Sequence, residues 1–222
     1  VGDGENGVTQ QKFESRGLAF TGSSAMASAQ AFDKARTKEL AQAKGARVAQ
    51  ERRLDTTKEA ELRRTLAELL SNAPRWVLKP QADGSSHGLV HLRAPDEIDA
   101  AVKTLHALRL PYLAEVFIEG RELTVGVVQD ANGLRALPVS EVRVIPGGAF
   151  DYEGKYLGRG TEELTPAPLD AGERAAAQAL ALLTHKAVGC FGYSRTDMIL
   201  TAQGPVLLEI NTLPGMTKAS FI

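Results

Sequence analysis

Two apolar, β-prone runs, Met198-Ile199-Leu200 and Val206-Leu207-Leu208, flank Gln203-Gly204-Pro205 near the end of this sequence. Glycine and proline at that spacing favour a turn, so the stretch predicts a β-hairpin. Side chains alternate faces along a strand, which sends Glu209 and Asn211 to the same side at the end of the second strand. Asp197 lies on the first strand, and Arg195 is close by. Two carboxylates and an amide oxygen are hard ligands. Mg²⁺ favours them and is usually held by one or two carboxylates together with substrate phosphates. A solvated strand edge carrying ordinary surface acids accounts for the spacing equally well.

A chain of 222 residues has material for one large domain or two small ones. Lys and Arg number 26 against 27 Asp and Glu, so the net charge of −1 gives no electrostatic case for nucleic acid or an anionic membrane. No apolar run reaches the roughly 18 residues a spanning helix needs. No signal peptide or internal repeat is visible. The one cysteine, Cys190, excludes an intramolecular disulfide and suits a reducing cytoplasm. Beside Phe191 it reads as a small core residue rather than a nucleophile.

Gly2 to Gly7 is a turn cluster without the ligand pattern of an EF-hand. Ser28 to Lys44 predicts a helix in two parts, ending at Gly45. Thr56 to Leu70 predicts a second helix, opened by a capping box of Thr56 with Glu59. Trp76 to Pro80 reads as a short strand. The Gly84-Ser85-Ser86-His87-Gly88 loop after it could fold over phosphates, although it lacks the Gly-Lys-Ser/Thr of a Walker A loop. Read alone, it is an ordinary turn. Pro95 to Leu108 is an amphipathic helix and Tyr112 to Ile118 a strand. Glu119 to Glu122 turns into a further strand over 123–128, and read alone Glu115 and Glu122 are exposed strand-end acids. Residues 147–156 are polar and Gly-rich without helix or strand period, as many lids are. Asp170 with Glu173 starts a long Ala/Leu helix to about Val188.

Arg195-Thr196-Asp197-Met198, followed by Glu209-Ile210-Asn211-Thr212-Leu213-Pro214-Gly215-Met216-Thr217, resembles the metal and phosphate end of the ATP-grasp ligases. Within them it looks most like the D-alanine–D-alanine ligase family. Asp33-Lys34, Lys79-Pro80 with its Gly/Ser loop, Glu115 to Ile118, Glu122 and the 147–156 stretch occur in that family's order. The resemblance implies an α+β ATP-grasp fold. Two subdomains, each a mainly antiparallel sheet with flanking helices, would grip ATP between them. Residues 28–120 would form the central subdomain and 121–222 the C-terminal one. Residues 1–27 would be the remnant of an N-terminal substrate domain, most of which, like a final helix, falls outside the chain on this match.

The resemblance also assigns roles. Lys34, Lys79 and Lys155 go to ATP phosphates, Glu115, Phe117 and Ile118 to adenine, and Glu122 to ribose. Asp197, Glu209 and Asn211 hold Mg²⁺, with Mn²⁺ as a substitute. Ser85 sits near the reacting phosphate, and Tyr156 helps hold a closed lid and points to D-alanine rather than D-lactate. Arg195 and the Gly215 N–H stabilise an oxyanion, and Ser220 takes the carboxylate of the second D-alanine. The implied reaction joins two D-alanines through an acyl phosphate, in the cytoplasm, for peptidoglycan precursors. D-alanine is the partner, without nucleic acid or membrane, and a homodimer is the expectation at full length. The sequence departs from the family at Asn6, where Asp is usual, at His87, where an aliphatic is common, and at Val116, where Lys is frequent. Another carboxylate–amine or D-Ala–D-Lac ligase is a second reading. A nucleotide-binding pseudoenzyme or inactive fragment is a third. Without the N-terminal domain, the chain alone is expected to bind ATP weakly and to make little dipeptide.

Overall fold

The computed structural model describes residues 3–83, 87–144 and 161–216. The chain parts into two units, residues 49–118 and residues 1–48 with 119–222. The larger unit begins with α1 (Val8–Glu14), α2 (Ala25–Phe32) and α3 (Lys34–Gln42). The two-part helix of the sequence reading is α2 and α3, and Asp33 makes the break. Its extended backbone ends α2, and its side chain accepts from the Arg36 N–H at 3.0 Å to cap α3.

The smaller unit follows with β1 (Glu51–Leu54), α4 (Glu59–Asn72), β2 (Trp76–Pro80), β3 (Val90–Leu92), α5 (Ile98–Leu108) and β4 (Tyr112–Val116). The strands form one antiparallel sheet in the order β1-β4-β2-β3. Leu62, Leu66 and Leu69 of α4 and Ala101, Val102 and Leu105 of α5 pack on Trp76, Leu78, Leu92, Tyr112 and Ala114. Both helices therefore cover one face of the sheet. The Trp76 indole N–H donates to the Leu69 carbonyl at 2.8 Å, which satisfies its polar atom inside that core. The expected capping box does not form. Thr56 is buried, its hydroxyl donates to the Leu110 carbonyl at 3.0 Å, and α4 starts only after Lys58 with no side-chain cap. A tertiary partner has taken the hydroxyl that the local motif needed.

The larger unit resumes with β5 (Arg121–Asp130), β6 (Gly133–Val144), β7 (Thr161–Leu164), α6 (Ala171–Val188), β8 (Tyr193–Thr201) and β9 (Gly204–Asn211). These strands pair antiparallel in the order β7-β6-β5-β8-β9. Ala177, Leu180 and Ala181 of α6 pack on Leu123, Val125, Val127, Met198, Leu200 and Leu207. The capping box of α6 is formed, with Asp170 accepting from the Glu173 N–H at 2.8 Å and Glu173 from the Asp170 N–H at 3.0 Å. Residues 28–48, expected with the central subdomain, join this unit. Ala31 packs with Val188 and Ile210, Ala41 and Ala46 pack with Leu207, and the Leu207 N–H donates to the Arg47 carbonyl at 2.9 Å.

On the helix-covered side, Arg121 and Arg143 both fork onto the buried Glu141, Arg121 at 3.0 and 2.7 Å and Arg143 at 2.9 and 3.0 Å. The Arg121 hydrogen bonds first, and then those of Arg143, hold the Glu141 carboxyl well below its ordinary range, at about 2. Among the described residues no helix is long and apolar enough to cross a membrane.

Candidate functional site

The face of the larger sheet opposite α6 carries the hairpin residues. Directly paired residues share a face. Thr124 of β5 pairs with Asp197 of β8, and Asp197 pairs with Glu209 of β9, so the three form one row across the sheet. Gly126, Arg195 and Asn211 form the next row. Glu122, two residues from Thr124 and paired with Ile199, lies on the same face. Thr196 and Met198 alternate with these residues and are buried on the other side.

A bulge makes this arrangement possible. Asp197 pairs with Glu209 but Met198 pairs with Leu207, which leaves Leu208 as the extra residue. In a regular strand Leu207 and Glu209 would share a face. Here Leu207 is fully buried in the core while Glu209 faces outward with Asp197.

Asp197 is the hub of the site. Its Oδ1 accepts from the Thr124 hydroxyl at 2.5 Å and from Arg195 Nε at 3.0 Å. Its Oδ2 accepts from Arg195 Nη2 at 2.8 Å and from Asn211 Nδ2 at 3.2 Å. Lys34, at the start of α3, brings its Nζ within 3.4 Å of Glu209 Oε2. Behind β8, His185 of α6 meets the Ser194 hydroxyl at 2.8 Å, both side chains being buried. Burial pushes the His185 pKa down and so favours its neutral form.

In the smaller unit the sheet face opposite α4 and α5 carries the other candidate residues. There Lys79 Nζ lies 2.8 Å from Glu115 Oε1, with side chains only 11% and 4% exposed. Arg75 places its guanidinium carbon 3.8 Å from the Phe117 ring centroid, and the His91 ring meets Phe117 edge-on at 6.1 Å. Burial, aided by Arg93 and Arg75, lowers the His91 pKa. The Val116 N–H donates to the Gln50 carbonyl at 3.0 Å and the Phe117 N–H to the Arg75 carbonyl at 2.9 Å, so neither donor is left for a ligand. Ile118 ends this unit, and Gly215 is exposed in the segment after β9. Ser85, Lys155, Tyr156 and Ser220 lie outside the described residues. The whole of the 147–156 stretch expected to be a lid also lies outside them, within residues 145–160.

The structure therefore gathers Asp197, Glu209, Asn211, Arg195 and Lys34 in one unit and Lys79 with Glu115 in the other. Sequence reasoning missed Thr124, Arg75 and His91, because only the strand register reveals what they face. Among the described residues no three His, Cys, Asp or Glu side chains gather as a metal cluster. The hairpin offers two carboxylates in register and an amide. That set is too sparse for a permanent ion but fits Mg²⁺ when phosphates supply further oxygens.

Two antiparallel sheets, one with a buried Lys–Glu face and one with a carboxylate hairpin, define an ATP-grasp protein. The family described as "D-ala D-ala ligase C-terminus" matches residues 36–222, and the chain belongs to that family. The D-alanine–D-alanine ligase of Herminiimonas arsenicoxydans is 39% identical over 223 residues, covering 99% of this chain and 66% of that relative. Among solved structures, the VanG D-Ala:D-Ser ligase from Enterococcus faecalis is similar with a TM-score of 0.82 at 30% identity, over 98% of this chain and 63% of that one. A D-alanine–D-alanine ligase from Bacillus anthracis, complexed with ATP, gives 0.78 at 25% identity, over 98% and 67%. The chain thus spans about two thirds of the length of these relatives.

Proposed function

We propose that this chain carries the nucleotide- and metal-binding part of an ATP-dependent ligase that joins two D-alanines, in the cytoplasm, for peptidoglycan precursors. The observation that carries the reading is the row of Asp197 and Glu209, with Asn211 beside it, on one sheet face rimmed by Lys34 and Arg195. The names of the relatives, and the ATP bound to one of the similar structures, support it.

On this reading Asp197, Glu209 and Asn211 hold Mg²⁺, for which Mn²⁺ can substitute, and the ion offsets phosphate charge. Lys34 and Lys79 bind phosphate oxygens as point charges. Glu115 holds Lys79 in place, and Glu122 accepts from the ribose hydroxyls. With the Val116 and Phe117 N–H groups engaged inside the sheet, the hydrogen bond to adenine falls to Ile118, while Phe117 packs. A carboxylate oxygen of the first D-alanine attacks the γ-phosphorus and ADP leaves, giving an acyl phosphate. The amine of the second D-alanine attacks the acyl carbon and loses a proton, and phosphate leaves with the C–O bonding pair. Arg195 and the Gly215 N–H donate to the oxygen that gains charge between these events.

The test is Glu209→Gln, which removes one of the two carboxylates facing a dication. Affinity for Mn²⁺ with a non-hydrolysable ATP analogue should fall about tenfold or more, with the melting temperature little changed. Equal affinity by calorimetry would overturn the assignment. The likeness to a D-Ala:D-Ser ligase makes D-serine a second acceptor to test. Phosphate release with D-alanine paired against D-alanine, D-serine and D-lactate separates the acceptors.

A further inference from the structure

The Asp197 carboxylate is already full. A carboxylate has about four lone-pair positions. Four donors occupy them here: the Thr124 hydroxyl, Arg195 Nε and Nη2, and Asn211 Nδ2. An ion can bind this carboxylate only if one of these donors gives way.

The donors differ in how easily they leave. Thr124 is buried, β-branched and directly paired with Asp197 across the strands, so its hydroxyl is fixed by the sheet. Asn211 can stay where it is and rotate its amide, presenting oxygen instead of nitrogen. Arg195 has a long side chain, is 21% exposed and carries the same sign of charge as the incoming ion. Of the four donors it is the one that an incoming cation repels.

We propose that Arg195 is the counter-cation that Asp197 carries before a divalent ion arrives, and that the ion displaces it. The inference rests on the metal reading above and adds a coupling to it. The guanidinium gives up its two charge-assisted bonds to Asp197 when the ion is seated and can turn those donors to an anion of the substrate. Thr124 is the positioning residue about which Asp197 exchanges one cation for the other. A site built this way keeps its oxyanion donor withheld while the metal is missing.

The experiment titrates the 222-residue chain with Mn²⁺ in the presence of a non-hydrolysable ATP analogue and counts free Mn²⁺ by electron paramagnetic resonance. Arg195→Met removes the competitor and should tighten Mn²⁺ binding about tenfold. Arg195→Lys keeps a charge but loses the fork, and should tighten it by about threefold, whereas plain long-range repulsion would leave it at the wild-type value. The third readout needs no variant. The Arg195 Nε–H resonance should shift and lose its exchange protection when Mg²⁺ and the analogue saturate the wild-type chain. A wild-type chain that binds no Mn²⁺ with nucleotide overturns the proposed function and this inference with it. Binding that neither variant tightens, or an Nε–H signal unmoved by saturating Mg²⁺ and analogue, overturns this inference alone.

Discussion

Burial decides what the Lys79–Glu115 pair contributes. With both side chains nearly inaccessible, removing the lysine takes the nearby cation at 2.8 Å from a desolvated carboxylate. Lys79→Met should cost about 3 kcal/mol in urea unfolding, and adding Glu115→Gln should recover much of that loss. At Thr124 the effect is on position rather than stability. Thr124→Val should weaken Mn²⁺ binding several-fold and Thr124→Ser should preserve it, since only the hydroxyl reaches Asp197. Cys190 is inert for a related reason, because burial pushes its thiol up to about 12. It should resist iodoacetamide at pH 8 in the folded chain and react fully in urea. Asp197, Glu209 and Asn211 were legible in the sequence because their grouping follows from one hairpin and one alternation. Thr124 was not, because its partner is 73 residues away and nothing local encodes that register.

At the scale of elements, α6 shows a local signal that the fold keeps. Asp170→Ala removes its cap and should cost about 1 kcal/mol. The Thr56 box shows a local signal that the fold overrides, since the hydroxyl found a carbonyl on a distant loop. The β9 bulge was equally hidden. Leu207-Leu208-Glu209-Ile210-Asn211 reads as simple alternation, and the extra residue appears only when the partner strand is counted against it. The Glu141 clamp ties β5 and β6 to α6, because Arg121 also donates to the Pro168 carbonyl at 2.9 Å and lies 3.7 Å from Glu173. Its carboxyl titrates at about 2 in the folded chain instead of near 4.5 unfolded. A depressed carboxyl stabilises above the unfolded value, and that contribution is lost as pH falls from there through the folded one. About 2–3 kcal/mol should disappear between pH 4.5 and pH 2, the partial exposure of Arg143 trimming the full shift. The stability gap between wild type and Glu141→Gln, followed by urea melts down this pH range, should close accordingly.

For the whole molecule, each unit has its own core and its own reporter. The only tryptophan, Trp76, is buried in the smaller unit, and the only cysteine, Cys190, belongs to the larger one. Tryptophan fluorescence and thiol exposure should therefore give denaturation curves with different midpoints, as expected where two cores do not unfold as one. Coincident curves would show that the units are a single cooperative body. Residues 49–118, expressed alone, should fold with the Trp76 emission of the complete chain, although about 70 residues leave little surplus stability. Its first and last strands, β1 and β4, lie side by side, with the Val116 N–H reaching the Gln50 carbonyl at 3.0 Å. The smaller unit thus begins and ends at neighbouring points of its own sheet. In evolutionary terms it behaves as a graft. A lineage could exchange or resurface it while the strand order of the larger sheet stayed as it was.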